Sequence, residues 1–62
     1  MTIIEFIPVL KLTKPDNDQV LWESDPVYAN SDTEARQSIQ SRIDNLPEIT
    51  FDSWSSISLV DM

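Results

Sequence analysis

Hydrophobic and polar residues nearly alternate at the start of the chain. The alternation in residues 3–13, "IIEFIPVLKLT", predicts a β-strand with one apolar face formed by Ile4, Phe6, Leu10 and Leu12. The other face is also partly apolar, and we expect a helix or a partner to cover its residues Ile3, Ile7 and Val9. Pro8 has no N–H to donate to a neighbouring strand, which predicts an edge position or a bulge.

A turn and a second strand follow. Residues 14–18, "KPDND", combine a proline with residues that favour turns. Asn17 is expected to take a left-handed conformation, since the chain has no glycine. Residues 19–29, "QVLWESDPVYA", predict an antiparallel partner for the first strand, disturbed near its end by Pro26. Alternation through this stretch groups Val20, Trp22 and Tyr28 on one face and Leu21, Glu23 and Val27 on the other.

The spacing after residue 30 predicts a helix. Ser31 and Glu34 form a capping box, and Asp32 adds negative charge at the positive end of the helix dipole. A single apolar stripe follows, made of Ala35, Ile39, Ile43 and Leu46. The helix should begin near residue 32 and end near Asn45, because a proline at position 47 disfavours helical geometry before it.

The tail, residues 48–62, "EITFDSWSSISLVDM", predicts one bent strand or two short strands with Trp54 near the bend. The element order is then strand, strand, helix, strand. We expect a single α+β domain over residues 1–62, in which one helix packs on one face of a three- or four-stranded antiparallel sheet.

Charge limits the kinds of partner. Eleven acidic residues against four basic ones give a net charge of -7. This charge repels nucleic-acid phosphates and favours a protein partner with a basic surface, although it also suits a role in solubility alone. A 62-residue domain buries only about 60% of its unfolded surface, so a larger partner or a homodimer would help to stabilise it.

The composition offers few candidates for catalytic residues. The chain has no histidine, cysteine or glycine, so it lacks the usual general base, thiol nucleophile, transition-metal ligands and phosphate-binding loops. A carboxylate pair remains conceivable, but so small a domain has little room for a substrate cleft. We therefore expect no enzyme activity, no cofactor and no metal.

No apolar run is long enough to span a membrane, and "MTIIEFIPVLKL" lacks the basic segment and cleavage site of a signal peptide. Cytoplasmic localisation is expected.

Acidic and aromatic residues supply the candidate contacts. If the acidic residues of the second strand and helix share a face, they would imitate a row of phosphates. Those selected are Glu23, Asp25, Asp32, Glu34 and Asp44. Trp22 and Trp54 are the candidate aromatic anchors. Of these two tryptophans and Tyr28, we expect two in the core and at least one tryptophan partly exposed.

The stretch "DPVYANSDTEARQSIQ", a strand that ends in Tyr-Ala, a capping box and a helix, resembles the middle of the podovirus inhibitors of bacterial RNA polymerase. Those inhibitors are similar in length and element order, and the resemblance covers residues 20–46. The family has functional arginines in its last strand, where this chain has none. The resemblance implies a phage protein of host takeover, and size and charge extend it to inhibitors of nucleases and CRISPR effectors.

Two functions are therefore expected. The first is an acidic, DNA-mimicking inhibitor that binds a host nucleic-acid-handling enzyme. The alternative is a small accessory or assembly subunit of a larger complex, which binds through the apolar second face of the first strand.

Overall fold

A computed structural model describes residues 2–61, so Met1 and Met62 of the expected domain lie outside it. The chain forms strands β1 (Thr2–Thr13), β2 (Gln19–Glu23) and β3 (Val27–Ala29), helix α1 (Asp32–Ile43) and strand β4 (Ile49–Asp61). All pairings in the sheet are antiparallel. The predicted α+β class, with one helix and an antiparallel sheet, is confirmed, and the predicted ββαβ order holds with its second strand divided into β2 and β3.

Strand β1 lies at the centre of the sheet. One of its edges pairs with β4 from Thr2 to Leu12. Its other edge pairs with β3 near the start of β1 and with β2 near its end. The predicted second strand is therefore two strands, and β1 holds together elements that come from the whole length of the chain.

Pro8 is in this central strand, so the predicted edge position is wrong. A proline is tolerated because the adjacent edge is interrupted beside it. Three residues, 24–26, span residues 7 and 8 of β1 between β2 and β3, and the Ser24 N–H donates to the Pro8 carbonyl (2.8 Å). Both backbone groups of a strand residue point to the same edge, so the N–H that Pro8 lacks would have faced this break. The bulge expected near Pro8 lies in its neighbours.

The extra residue in this break changes which side chains share a face. Val27 pairs with Phe6 and is buried under the helix, whereas Tyr28 pairs with Glu5 and points to the opposite face. The predicted grouping of Tyr28 with Trp22 on one face is therefore wrong. The one extra residue between β2 and β3 exchanges the two faces for every residue that follows it in the strand.

The tail forms one strand, β4, with two irregularities in its pairing with β1. The register shifts between Ile7 and Pro8 and again between Val9 and Leu10, which leaves Ser55 and Asp52 without a direct partner. These two residues flank Trp54, where the sequence predicted the bend.

Helix α1 begins with the predicted Ser31 cap, since the Glu34 N–H donates to Ser31 Oγ (3.3 Å). The other half of the capping box differs, because the Glu34 carboxylate accepts from the Asn30 N–H (3.0 Å) and not from the N–H of Ser31. Ala35 and Ile39 are buried with Ile43, while Leu46 follows the helix and is 40% exposed. The helix ends at Ile43, two residues before the predicted end, so Leu46 does not extend the buried stripe.

The core lies between α1 and one face of the sheet. It consists of Phe6, Leu10, Val27, Ala29, Ala35, Ile39 and Ile43. Trp54 packs against this core, with its ring centroid 4.9 Å from that of Phe6.

The turn before β2 has the expected left-handed residue, Asn17, at φ 68°.

We predict that Ile39→Ala lowers the free energy of unfolding by about 2–4 kcal/mol, because it leaves a cavity beneath the helix. Leu46→Ala is the control and should cost less than about 1 kcal/mol, since Leu46 is already partly exposed. Urea unfolding followed by tryptophan fluorescence measures both. Equal losses would show that α1 does not pack as described.

Candidate partner-binding surface

The sheet has a second face that α1 does not cover, called here the open face. Alternation directs the odd-numbered residues of β1 to this face, and the strand registers place their neighbours beside them. Its members are Ile3, Glu5, Ile7, Val9, Lys11 and Thr13 of β1, Gln19, Leu21 and Glu23 of β2, Tyr28 of β3, and Thr50, Ser53, Ser56, Ser58 and Val60 of β4.

The centre of the open face is apolar. Ile3, Ile7 and Val9 are half-buried along the middle strand. Leu21 and Tyr28, on the neighbouring strands, are 55% and 57% exposed. Within residues 2–61 no element packs over these side chains. The open face is thus an apolar strip bordered on its β4 side by serines.

Two acidic side chains lie on the open face, and each accepts a hydrogen bond. The Tyr28 hydroxyl donates to Glu5 Oε2 (2.9 Å), and Ser55 Oγ donates to Glu23 Oε1 (3.0 Å). The bond to Glu5, together with the negative charge of this carboxylate, raises the pKa of Tyr28 above its ordinary value of 10.0. Lys11 is the basic residue of this face.

The acidic residues proposed from the helix make local contacts. Asp32 accepts from Arg36 Nε (2.6 Å) and from the indole N–H of Trp54 (2.7 Å). These two bonds lower the pKa of Asp32. Glu34 belongs to the capping box, and Asp44 accepts from the side-chain amide of Gln40 (2.9 Å). All three residues are exposed on the helix side of the sheet, whereas Glu23 lies on the open face.

Asp25 lies in the break between β2 and β3, outside the strand that carries Glu23. Its carbonyl accepts from Arg42, and so does the carbonyl of Pro26 (2.8 and 3.2 Å). The guanidinium therefore ties the end of the helix to the break. Glu23 and Asp25, both of which the sequence assigned to the second strand, therefore do not lie on the same strand.

The two tryptophans have different surroundings. Trp22 pairs with Leu10 on the helix side and is exposed, as expected for at least one tryptophan. Trp54 is half-buried between Phe6 and Phe51 and also holds Asp32. Since Tyr28 is exposed too, one of the three aromatic residues packs on the core rather than the expected two.

The alternation of β1 predicted an apolar face at Ile7 and Val9, but the sequence did not indicate that Glu5, Leu21 and Tyr28 share it. The available signal was "SDP" at residues 24–26, which lies in the middle of the predicted strand. An interruption there allows the face of every following residue to change.

The described residues form no cleft or enclosed cavity, and no group of three acidic side chains among them is arranged to hold a metal ion. No helix within residues 2–61 has the length and apolar character needed to cross a membrane. The fold and surface define a small α+β domain with an uncovered sheet face. Comparisons with protein-family models, curated proteins and solved structures find no match to the chain.

We predict that Glu5→Gln lowers the pKa of Tyr28 toward its ordinary value of 10.0, because the substitution removes the negative charge beside the phenol. Ultraviolet absorbance titration reads this group directly, since the chain has one tyrosine. The pKa of Tyr28 is higher in the folded protein than in the unfolded chain, so its contact with Glu5 stabilises the fold at pH values below the pKa of the unfolded chain. This stabilisation is lost as the pH rises through the pKa of Tyr28 in the folded protein.

Glu23→Gln is the matched control. It removes one charge from the same face but leaves the carboxylate that accepts from Tyr28. An equal change of the Tyr28 pKa in both variants would contradict the Glu5–Tyr28 contact.

Proposed function

We propose that this protein is a non-enzymatic protein-binding domain and that its open face contacts a partner with apolar side chains flanked by basic ones. The observation that carries the proposal is the apolar strip of the open face, which includes Leu21 and Tyr28 at more than half exposure. Burial of apolar surface is worth roughly 25 cal/mol per Å², so covering this strip would favour association.

The apolar strip supplies the contact area in this proposal. Tyr28 combines a large ring with a hydroxyl that Glu5 already orients, and such aromatic residues often contribute strongly to binding. Ile7 and Val9 add a flat surface along the middle strand. This surface is the one anticipated for an accessory subunit, and it would serve an inhibitor equally well.

Charge supports a basic partner. Glu5 and Glu23 accompany the apolar strip, and the whole chain carries a charge of -7. Asp32, Glu34 and Asp44 lie on the helix side, so in this proposal they attract the partner at long range without direct contact. Asp25 lies in the break between β2 and β3, and Trp22 lies on the helix side. Trp54 packs against the core, so none of these three residues belongs to the open face.

Among basic partners, we propose proteins that hold nucleic acid, because their surfaces are shaped to attract negative charge. A phage-encoded inhibitor of a host polymerase, nuclease or CRISPR effector belongs to this class. The support is the charge of the chain and the likeness of residues 20–46 to the podovirus inhibitors.

We predict that Leu21→Asp weakens partner binding at least tenfold, about 1.4 kcal/mol, because it places a carboxylate in the apolar contact. Affinity capture from the source cells with the wild-type protein would identify the partner by mass spectrometry. Titration of that partner with each variant would then measure the change. Leu21 is exposed, so circular dichroism should show an intact fold.

Leu46→Asp is the matched control, since it makes the same change at an exposed leucine outside the open face. It should bind within about twofold of wild type. Equal weakening in the two variants, or full binding by Leu21→Asp, would exclude the open face as the contact.

A second pair of variants separates direct contact from long-range attraction. Glu23→Gln and Asp44→Asn each remove one charge, but Glu23 lies on the open face, whereas Asp44 is the C-cap residue of the helix. Glu23→Gln should weaken binding more. A larger effect of Asp44→Asn would assign the contact to the helix side.

A further inference from the structure

Strand β4 has one edge without a partner strand. It pairs with β1 along one edge, and within residues 2–61 no strand pairs with the other. This free edge belongs to a strand of 13 residues. A long unpaired edge presents backbone donors and acceptors that another strand can bind.

The direction of the backbone groups on β4 follows from two hydrogen bonds of β1. The Ser24 N–H donates to the Pro8 carbonyl, and the Thr13 N–H donates to the Glu48 carbonyl just before β4. Even residues of β1 therefore point their backbone groups toward β2 and β3, and odd residues point theirs toward β4. Since Glu5 pairs with Ser58, the backbone groups of Ser58 face β1, whereas those of Ile57 and Leu59 face the free edge.

The side chains of these two residues are also uncovered. Ile57 and Leu59 are 57% and 75% exposed, opposite Phe6 and Ile4 on the helix side of the sheet. A 12-residue helix is only about 18 Å long, while the molecule extends over 45 Å. The helix therefore covers only part of the sheet, and the exposure of Ile57 and Leu59 places them outside the covered part.

The sequence at this end lacks the usual protection of an edge strand. Residues 53–60, "SWSSISLV", contain no charged residue and no proline. The bulge at Ser55 interrupts regular pairing on its N-terminal side. Regular pairing with another strand is thus available from residue 56 onward.

We propose that this edge pairs with the same edge of a second copy of the chain, antiparallel and with Ser58 opposite Ser58. In this register Ile57 of one copy stands opposite Leu59 of the other, and the reverse pair forms across the two-fold axis. Both residues point their backbone groups at the other copy, so each of the two pairs is hydrogen-bonded. All four exposed apolar side chains meet on the helix side.

The absence of charge along residues 53–60 favours contact between two copies at this edge. Each chain carries a charge of -7, so two copies repel one another. Residues 53–60 carry no charge, so contact along them adds no charge repulsion of its own. The contact is smaller than a standard protein interface, which implies a dissociation constant on the order of micromolar or weaker. Added salt should strengthen the dimer, because it screens the repulsion.

The test is sedimentation of the full chain from about 10 μM to about 1 mM protein at low and high salt, a range that brackets so small an interface. We expect the average mass to rise toward that of a dimer with concentration and with salt. Leu59→Lys should stay monomeric, and it should keep its fold because this side chain is already exposed. A wild-type chain that remains monomeric throughout would overturn the proposal.

A cysteine pair tests the register, since the chain has no cysteine of its own. Ser58 lies on the two-fold axis at a non-hydrogen-bonded pair, where Cα atoms are about 4.5 Å apart and a disulfide can form. Ser58→Cys should therefore cross-link on mild oxidation. Ser56→Cys is the matched control on the same face, and its two Cα atoms would be roughly 13 Å apart. Equal cross-linking of both variants, or of neither, would overturn this register.

Discussion

The structure depends on a proline in its central strand. Pro8 is fully buried, and it cannot donate a hydrogen bond to the strand beside it. The adjacent edge is accordingly divided into β2 and β3, and residues 24–26 pass the proline with one residue more than regular pairing needs. The strand on the other side, β4, also changes register at Pro8. Every neighbour of β1 is therefore irregular at the same level of the sheet.

These irregularities determine what the surface presents. The extra residue before β3 places Val27 beneath the helix and Tyr28 on the open face. There the Tyr28 hydroxyl donates a hydrogen bond to the Glu5 carboxylate. The bulge at Ser55 lets this serine bind Glu23 across the middle strand. The irregular pairing beside Pro8 therefore accompanies both polar contacts of the open face, Tyr28 with Glu5 and Ser55 with Glu23. The proposed binding surface follows from this strand pairing.

Local signals in the sequence predicted most of the elements. The Ser31–Glu34 box, the left-handed Asn17 and the alternation of β1 depend on neighbouring residues alone, and the structure contains all three. The central position of β1 depends on which distant strands pair with it, which alternation does not encode. For the same reason the sequence grouped Glu23 with the acidic residues of the helix, although the two sets lie on opposite sides of the sheet.

Strand β1 is paired on both edges, while the outer edge of β4 has no partner strand within residues 2–61. Native-state hydrogen exchange, measured by NMR on dilute monomer at low salt, tests this arrangement most directly. The amides of Glu5, which faces β4, and Leu10, which faces β2, should exchange only on global unfolding. The amides of Ile57 and Leu59 should exchange rapidly. Rapid exchange at Glu5 or Leu10, or strong protection at Ile57 and Leu59, would contradict the account.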